Sequence, residues 1–226
     1  MLDVNKKTKI FGYEFRDCGL LKTALTHPST NKKNNYQRLE FLGDRILDLV
    51  VAEYVFKKFP NEKEGDLAKR HIALVCGEMI SMIAKENVVG EEIIMSIGEH
   101  NTGGRQNKSN LEDVVESIFA AIYIDSGDIN VVREIILQLW KPHLKRFTSP
   151  PQDPKSELQE IVQKYNAPLP IYELVKQEGP AHEPVFTMKI IVKGQEEIQI
   201  TSNNKKKGEI ELAKLMLSNI DKAKLS

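Results

Sequence analysis

The sequence has only two cysteines, Cys18 and Cys76, among its 226 residues. Two cysteines so far apart exclude a disulfide framework and favour a reducing compartment such as the cytoplasm. Long apolar runs are missing as well. No segment approaches the length of a membrane span, and the first residues, MLDVNKKTKIFGYEF, contain no apolar core of a signal peptide. The sequence therefore predicts a cytoplasmic protein without a membrane partner.

A net charge is also absent, since 32 Lys and Arg residues balance 32 Asp and Glu residues. The balance excludes binding to nucleic acid through bulk charge, so such binding would require local basic patches. Hydrophobic residues make up 41% of the chain, which is enough for packed cores in one large domain or two modest ones.

The pattern of the chain changes at a proline-rich segment, TSPPQDP, at residues 148–154. Residues 1–147 predict an almost wholly helical, all-α domain, and one stretch, residues 64–87, repeats apolar residues at helical spacing throughout. Residues 155–226 predict an α+β domain with the order α-β-β-β-α. We therefore expect two domains joined by a linker at residues 148–154. The clearest strand alternates four apolar residues on one face: Phe186, Met188, Ile190 and Val192.

Two apolar helices each carry a pair of acids on one face. The segment NNYQRLEFLGDRILDLVVAEYVF, residues 34–56, is apolar nearly all round from its sixth residue on, which is typical of a buried helix. Glu40 and Asp44 nevertheless lie four residues apart in it, where like charges repel, and burial raises the cost further. In LEDVVESIF, Asp113 and Glu116 lie three residues apart. The two helices therefore predict one acidic cluster where they cross.

Carboxylates in such a cluster cannot all remain ionised without compensation. Mg²⁺ supplies it, because this ion takes oxygen ligands, keeps several waters and combines one or two carboxylates with substrate phosphates. A site of this kind activates water and stabilises the leaving oxygen in phosphodiester cleavage. Spacing alone leaves a second interpretation open, in which the acids form solvated helix faces, as we expect for Asp48, Glu53 and Glu112.

Other candidate residues fit no catalytic pattern. Four histidines share no metal-ligand spacing and are interpreted as surface or capping residues: His27, His71, His100 and His143. Ser29 beside His27 is a poor nucleophile pair, because Pro28 between them is explained more simply by a turn. The glycine-rich segment NTGGR matches no phosphate-binding loop.

Three segments carry a family resemblance. QRLEFLGDRIL, residues 37–47, closely resembles the ribonuclease III signature ERLEFLGD, and residues 103–127 resemble that family's second motif, in which Asp and Glu stand three apart. ALTHPS, residues 24–29, resembles a third element. The tail from residue 153 resembles the double-stranded-RNA-binding domain that follows the nuclease domain in bacterial members. The resemblance covers essentially the whole chain in the family's order.

The resemblance implies a Mg²⁺-dependent endoribonuclease, with Mn²⁺ as a substitute metal. Its metal ligands would be Glu40, Asp44, Asp113 and Glu116, with Asp44 and Glu116 as the catalytic pair. It also implies a homodimer with the signature helix at the interface, and a double-stranded RNA substrate. The products would carry 5′-phosphate and 3′-hydroxyl ends with short 3′ overhangs, and the cellular substrates would include ribosomal RNA precursors and other RNAs.

The sequence departs from the family pattern at five positions, none of them an expected ligand. Gln37 stands where the signature usually begins with Glu, and we expect it not to be a ligand and the enzyme to remain active. Asn110 and Glu112 replace apolar and small residues, and Gly208 and Leu212 replace alanines of the last helix.

Three segments of the second domain suit A-form RNA, which proteins recognise through its shape, 2′-hydroxyls and phosphates. The helix KSELQEIVQ presents polar side chains suited to 2′-hydroxyls, and the turn GPAHEP would reach a minor groove. The lysines of NNKKKG begin a helix, where cations are favoured only if phosphates bind there. Each segment also has an ordinary interpretation, as a polar helix face, a connecting turn or a solvated charge run. The predicted RNA-binding residues are Ser156, Gln159, Glu160, Gln163, His182, Lys205 and Lys206.

Two other functions use the same features. A double-stranded-RNA-binding protein without nuclease activity could keep this fold, but all four acids are present, which argues against it. A metal-dependent phosphohydrolase acting on small nucleotides could use acids on helices, but the predicted RNA-binding domain argues against that.

Overall fold

The computed structural model describes residues 8–144, 153–180 and 183–225. The chain divides into two compact units, Met1–Pro151 and Gln152–Ser226. Most of the predicted linker lies outside the described residues. Its last two residues, Asp153 and Pro154, belong to a helix, as its N-cap and its first residue. Asp153 accepts the amide of Ser156, and proline is favoured at the first helical position because no intrahelical partner is lost there.

The first unit is helical, as the sequence predicts, except for a short antiparallel hairpin near its start. The hairpin joins strands β1 (Lys9–Ile10) and β2 (Tyr13–Glu14). The helices of this unit are α1 (Cys18–Ala24), α2 (Gln37–Lys58), α3 (Glu64–Val75), α4 (Gly77–Glu86), α5 (Ile97–Asn101), α6 (Lys108–Ser126) and α7 (Ile129–Leu144).

The apolar stretch at residues 64–87 forms two helices rather than one. Cys76 has an extended backbone, with φ −70° and ψ 150°, and it ends α3 and begins α4. Helical spacing continues across the break because both helices bury apolar residues in the same core. A periodic pattern alone therefore does not locate such a corner.

Asp125 near the end of α6 fixes the turn that leads into α1. Its carboxylate accepts the Tyr13 hydroxyl at 2.7 Å and the backbone amides of Arg16 and Asp17 at 2.9 and 2.8 Å. These three bonds join segments more than a hundred residues apart in the chain. Asp125 is therefore a structural residue of this unit.

The second unit has the predicted α-β-β-β-α order, so both parts of the fold prediction are confirmed. It consists of helix α8 (Pro154–Lys164), strands β3 (Ile171–Glu178), β4 (Val185–Ile191) and β5 (Ile198–Ser202), and helix α9 (Lys205–Asn219). The strands form an antiparallel sheet in the order β3-β4-β5. The four alternating residues predicted for one face are buried in a core with Leu158 and Val162 of α8 and Leu212 and Met216 of α9.

The sheet register places the end of β3 and the start of α9 at the same end of the sheet. Glu178 pairs with Val185, and Phe186 pairs with Ser202, so the β3–β4 connection and the start of α9 are close together. The β4–β5 turn around Gly194 lies at the opposite end. No helix in the described parts of the chain is both long enough and apolar enough to cross a membrane.

Candidate active site

Helices α2 and α6 cross at Gly43. A Cβ atom built at this position would lie 1.8 Å from the backbone oxygen of Glu116, far inside van der Waals contact. Only glycine permits so close an approach of the two backbones. Because Gly43 lies between Glu40 and Asp44 in α2, and faces Glu116 in α6, the crossing point brings the acids of the two helices together.

Electrostatic interactions among the acids show that they form one cluster. Glu116 is 7% exposed, and its burial, with the charges of Asp44, Glu112, Asp113 and Glu40, raises the pKa of its carboxyl to about 8. Burial likewise raises the pKa of Glu40, with further contributions from Asp113 and Asp44. Burial also raises the pKa of Asp113. The predicted cluster is therefore present, and its negative charge is poorly compensated.

The protein supplies little to offset this charge. Among the described residues, no side chain or amide donates a hydrogen bond to the Glu116 carboxylate. Asp44 pairs with Arg45 at 2.7 Å, but the Arg45 side chain is largely exposed and that of Asp44 partly exposed, so the pair contributes little. A divalent cation with its own waters would neutralise the cluster, and the all-oxygen donor set is the one Mg²⁺ prefers.

The acids of the cluster nevertheless do not enclose a metal-binding position. Within the described ranges, no group of three His, Cys, Asp or Glu side chains is close enough to hold a metal ion. The site is therefore no closed cage of protein ligands. Mg²⁺ commonly keeps several waters and takes its remaining ligands from one or two carboxylates and substrate phosphates, so the chemistry of the donor set still fits.

Glu112 belongs with the cluster rather than with the solvated acids. It is partly buried, its carboxyl pKa is raised by burial, and its carboxylate lies against Gly77 at the start of α4. The neighbouring Lys108 is shared with Glu78, which it contacts at 2.6 Å. The interpretation of Glu112 as a solvated acid is therefore wrong. Glu112 lies four residues before Glu116, and this helical spacing was the sequence signal that could have assigned it to the cluster.

The other two acids set aside from the sequence do form an ion-paired surface. Asp48 lies 3.5 Å from Arg45 and 3.4 Å from His71. Glu53 pairs with Lys57 at 2.6 Å and with Arg133 at 2.9 Å. Asp48 and Glu53 therefore keep their interpretation as acids of a solvated helix face.

Gln37 is exposed at the first position of α2. Its backbone amide donates to the side chain of Asn35 at 3.1 Å. Among the described contacts, no hydrogen bond joins the Gln37 side chain to the acids. The expectation that Gln37 is not a ligand therefore stays a prediction.

Tyr36, directly before α2, is a site residue that the sequence pattern did not indicate. It is 2% exposed, and its hydroxyl donates to Asp113 Oδ2 at 3.1 Å. The only local signal was its position four residues before Glu40. Its contact with Asp113 spans 77 residues of sequence, so periodicity could not reveal it.

The ALTHPS segment supports this tyrosine. His27 caps a short 3₁₀ turn by accepting the amide of Ser29, as expected for a capping histidine, and its ring packs edge-on against Tyr36. Ser29 accepts the amide of Ser96 through its hydroxyl, which is a structural contact. His143, in contrast, is buried against Glu86 at 2.9 Å, so its interpretation as a surface or capping residue is wrong.

The predicted RNA-binding residues of the second unit are exposed where they are described. Four of them lie along one face of α8: Ser156, Gln159, Glu160 and Gln163. Lys205 and Lys206 begin α9, where Asn204 caps the helix and the Lys205 ammonium lies 5.1 Å from the Phe186 ring centre. His182 lies outside the described residues. All seven assignments remain predictions.

Comparisons with known proteins agree with both units. A family model described as Ribonuclease-III-like matches residues 17–143, and the double-stranded RNA binding motif matches residues 154–220. The chain is 48% identical over 221 residues to Ribonuclease 3 of Wolbachia sp. subsp. Drosophila simulans, covering 95% of each protein. It is 42% identical over 221 residues to Ribonuclease 3 of Ehrlichia ruminantium, covering 96% of this chain and 97% of the relative.

Solved structures are similar to the first unit. The nuclease domain of ribonuclease III from Campylobacter jejuni is 42% identical with a TM-score of 0.59, covering 66% of this chain and 99% of that one. The family matches span both units, and the matched residues include the two acidic helices and the RNA-binding fold. The chain therefore belongs to the ribonuclease III family and is an endoribonuclease with a C-terminal double-stranded-RNA-binding domain.

Proposed function

We propose that the enzyme cleaves double-stranded RNA in a Mg²⁺-dependent reaction that leaves 5′-phosphate and 3′-hydroxyl ends with short 3′ overhangs. The observation that carries the proposal is the poorly compensated acidic cluster at the α2–α6 crossing, in a chain that also has an RNA-binding domain. Ribosomal RNA precursors, other cellular RNAs and a cytoplasmic location are proposed from membership of the family.

The roles of the chain's residues are proposed from the family's motifs, and the acidic cluster supports them. Glu40, Asp44, Asp113 and Glu116 would hold Mg²⁺, or Mn²⁺ in its place, with Asp44 and Glu116 as the catalytic pair. Bound metal would activate water and stabilise the charge that develops on the phosphate oxygens. The protein holds its carboxylates on two rigid helices that cross at Gly43, so little reorganisation is needed when substrate binds.

Long duplex RNA distinguishes this proposal from the alternatives. The protein is incubated with the duplex and, separately, with small nucleotides, each with and without Mg²⁺. Short duplex products that form only with Mg²⁺ support the proposal. Binding without cleavage would indicate the non-cleaving RNA-binding protein, and hydrolysis restricted to nucleotides would indicate the phosphohydrolase.

Helix α2 carries an exposed apolar surface that supports the proposed homodimer. Phe41, Leu49 and Phe56 are 70%, 58% and 71% exposed, and their spacing of about seven residues places them on one side of the helix. Ile72 of α3 is also exposed. Several large exposed apolar side chains on one side of a helix are typical of an interaction surface. One structure of the Campylobacter jejuni nuclease domain concerns a flexible region involved in that protein's dimer formation.

Replacing Phe41 and Phe56 together with alanine is expected to yield a monomer at concentrations where the parent protein is a dimer. The substitutions remove apolar area that an interface would bury, and exposed side chains contribute little to the fold of one subunit. Sedimentation velocity measures the mass. Ile97→Ala, at another highly exposed apolar residue, is the control and should stay dimeric. A double variant that remains a dimer would contradict an interface on α2.

Replacing Lys205 and Lys206 with alanine is expected to weaken duplex binding and to reduce the slope of its salt dependence by about 1 for each phosphate that is no longer neutralised. Both lysines lie at the start of α9, whose free amides also attract phosphate. Titrations at several salt concentrations give the slope. The control replaces Lys193 and Lys222, which lie near the opposite end of the sheet. Equal slopes in both double variants would show that Lys205 and Lys206 are only solvated.

A further inference from the structure

We propose that Tyr36 is a positioning residue for the metal ligand Asp113. The proposal rests on the proposed function, since it concerns a ligand of the same metal site. The Tyr36 hydroxyl donates to Asp113 Oδ2 at 3.1 Å, and Tyr36 is buried while Asp113 is partly buried. The bond engages one of the two carboxylate oxygens of Asp113.

Tyr36 connects the two acidic helices to a third segment through its backbone and its side chain. Its amide donates to the Thr26 carbonyl at 3.0 Å, and its own carbonyl accepts the Glu40 amide at 2.8 Å. Tyr36 therefore begins the helix that carries Glu40 while its side chain holds Asp113 of α6. A displacement of this residue would move ligands on both helices together.

The ring of Tyr36 is held in place by a chain of polar contacts behind it. The His27 ring packs edge-on against it, with ring centres 5.6 Å apart. His27 Nδ1 accepts the Ser29 amide, so the neutral ring carries its proton on Nε2, which donates to Asn110 Oδ1 at 3.2 Å. The Asn110 amide nitrogen in turn donates to Glu99 at 2.9 Å and to the Gly104 carbonyl at 3.0 Å.

Asn110 thereby gains a specific role. It departs from the apolar residue usual in the family's second motif, and it is 8% exposed in this structure. A buried amide is stable only when its groups are hydrogen-bonded, and here both its oxygen and its nitrogen have partners. The network fixes His27, and His27 limits the positions open to the Tyr36 ring.

Hydrogen bonds that orient a metal ligand without touching the metal affect metal affinity and activity measurably. An aspartate with both oxygens free can rotate about its last side-chain bond, whereas the Tyr36 bond selects one orientation before metal binds. Loss of such an outer partner typically costs about 10- to 100-fold in metal affinity or activity. Tyr36→Phe removes this hydroxyl and keeps the ring that packs against His27.

The test compares Tyr36→Phe with Tyr13→Phe. Tyr13 is a matched control, because its hydroxyl also donates to an aspartate, Asp125, but away from the cluster. Mn²⁺ affinity without RNA is measured by electron paramagnetic resonance, and the Mg²⁺ concentration for half-maximal cleavage is measured separately. Thermal unfolding of both variants measures stability. Asp113→Asn serves as the reference for a lost ligand.

Tyr36→Phe is expected to weaken Mn²⁺ binding and raise the Mg²⁺ requirement by about tenfold, with duplex affinity unchanged. Tyr13→Phe is expected to lower thermal stability without changing either metal measurement. Equal Mn²⁺ affinity in Tyr36→Phe and the parent would overturn the role of Tyr36, and so would an equal loss in both tyrosine variants. A parent protein that neither binds Mn²⁺ nor cleaves RNA would overturn the proposed function as well.

Discussion

Glu116→Gln is expected to reduce duplex cleavage by about 10²- to 10³-fold or more while leaving duplex affinity nearly unchanged. Glutamine has almost the same shape, so the α2–α6 crossing at Gly43 should survive. It lacks the negative charge, however, and Glu116 is the most deeply buried acid of the cluster. The substitution does not change the predicted RNA-binding face of the second unit, so cleavage should fall while duplex affinity stays nearly the same. Cleavage rates and a gel-shift titration measure the two effects.

Stability gives a second measurement for the same variant. The pKa of Glu116 is raised to about 8 in the folded protein, from an ordinary value near 4.5. Its contribution to metal-free stability is therefore complete below pH 4.5 and lost as the pH rises through 8. Glutamine stays neutral, so metal-free Glu116→Gln should unfold at a higher temperature than the parent at pH 8, with the difference shrinking toward pH 4.5.

Glu134→Gln provides the matched control, since Glu134 is an exposed residue of α7. It should leave cleavage, binding and the pH profile of unfolding unchanged. Cleavage at the parent rate by Glu116→Gln would show that the acidic cluster is not the catalytic centre.

Gly43→Ala is expected to lower both stability and activity. The new Cβ would meet the backbone oxygen, carbon and Cα of Glu116 at 1.8, 2.4 and 3.0 Å, and a backbone cannot move aside as a flexible side chain can. Overpacking of this kind costs about 1–3 kcal/mol or more. Alanine's better helix propensity returns at most about 1 kcal/mol. The helices must separate, and the acids on them separate too.

Thermal unfolding and cleavage assays test this prediction side by side with Gly65→Ala. Gly65 lies in α3 with nothing within 4 Å of its added Cβ, so that variant should be at least as stable as the parent and as active. If Gly43→Ala matched Gly65→Ala in both measurements, the close crossing would not be what assembles the site.

The sequence by itself determined most of the helices and strands and the helix faces that carry the acids. The four- and three-residue spacings of Glu40 with Asp44 and of Asp113 with Glu116 specify the side of each helix that carries charge. The alternation through β4 likewise specified which residues face the second core. These features are local, because a residue's direction along a helix or strand depends on its neighbours in the chain.

Only the tertiary structure decided which faces meet. The contact of Gly43 with Glu116 and the bond from Tyr36 to Asp113 each join residues more than seventy positions apart. The inclusion of Glu112 and the burial of Asn110 likewise depend on how α4, α5 and α6 pack. Such contacts are fixed by the shapes of whole helices fitted together, a property that no periodic pattern within one segment contains.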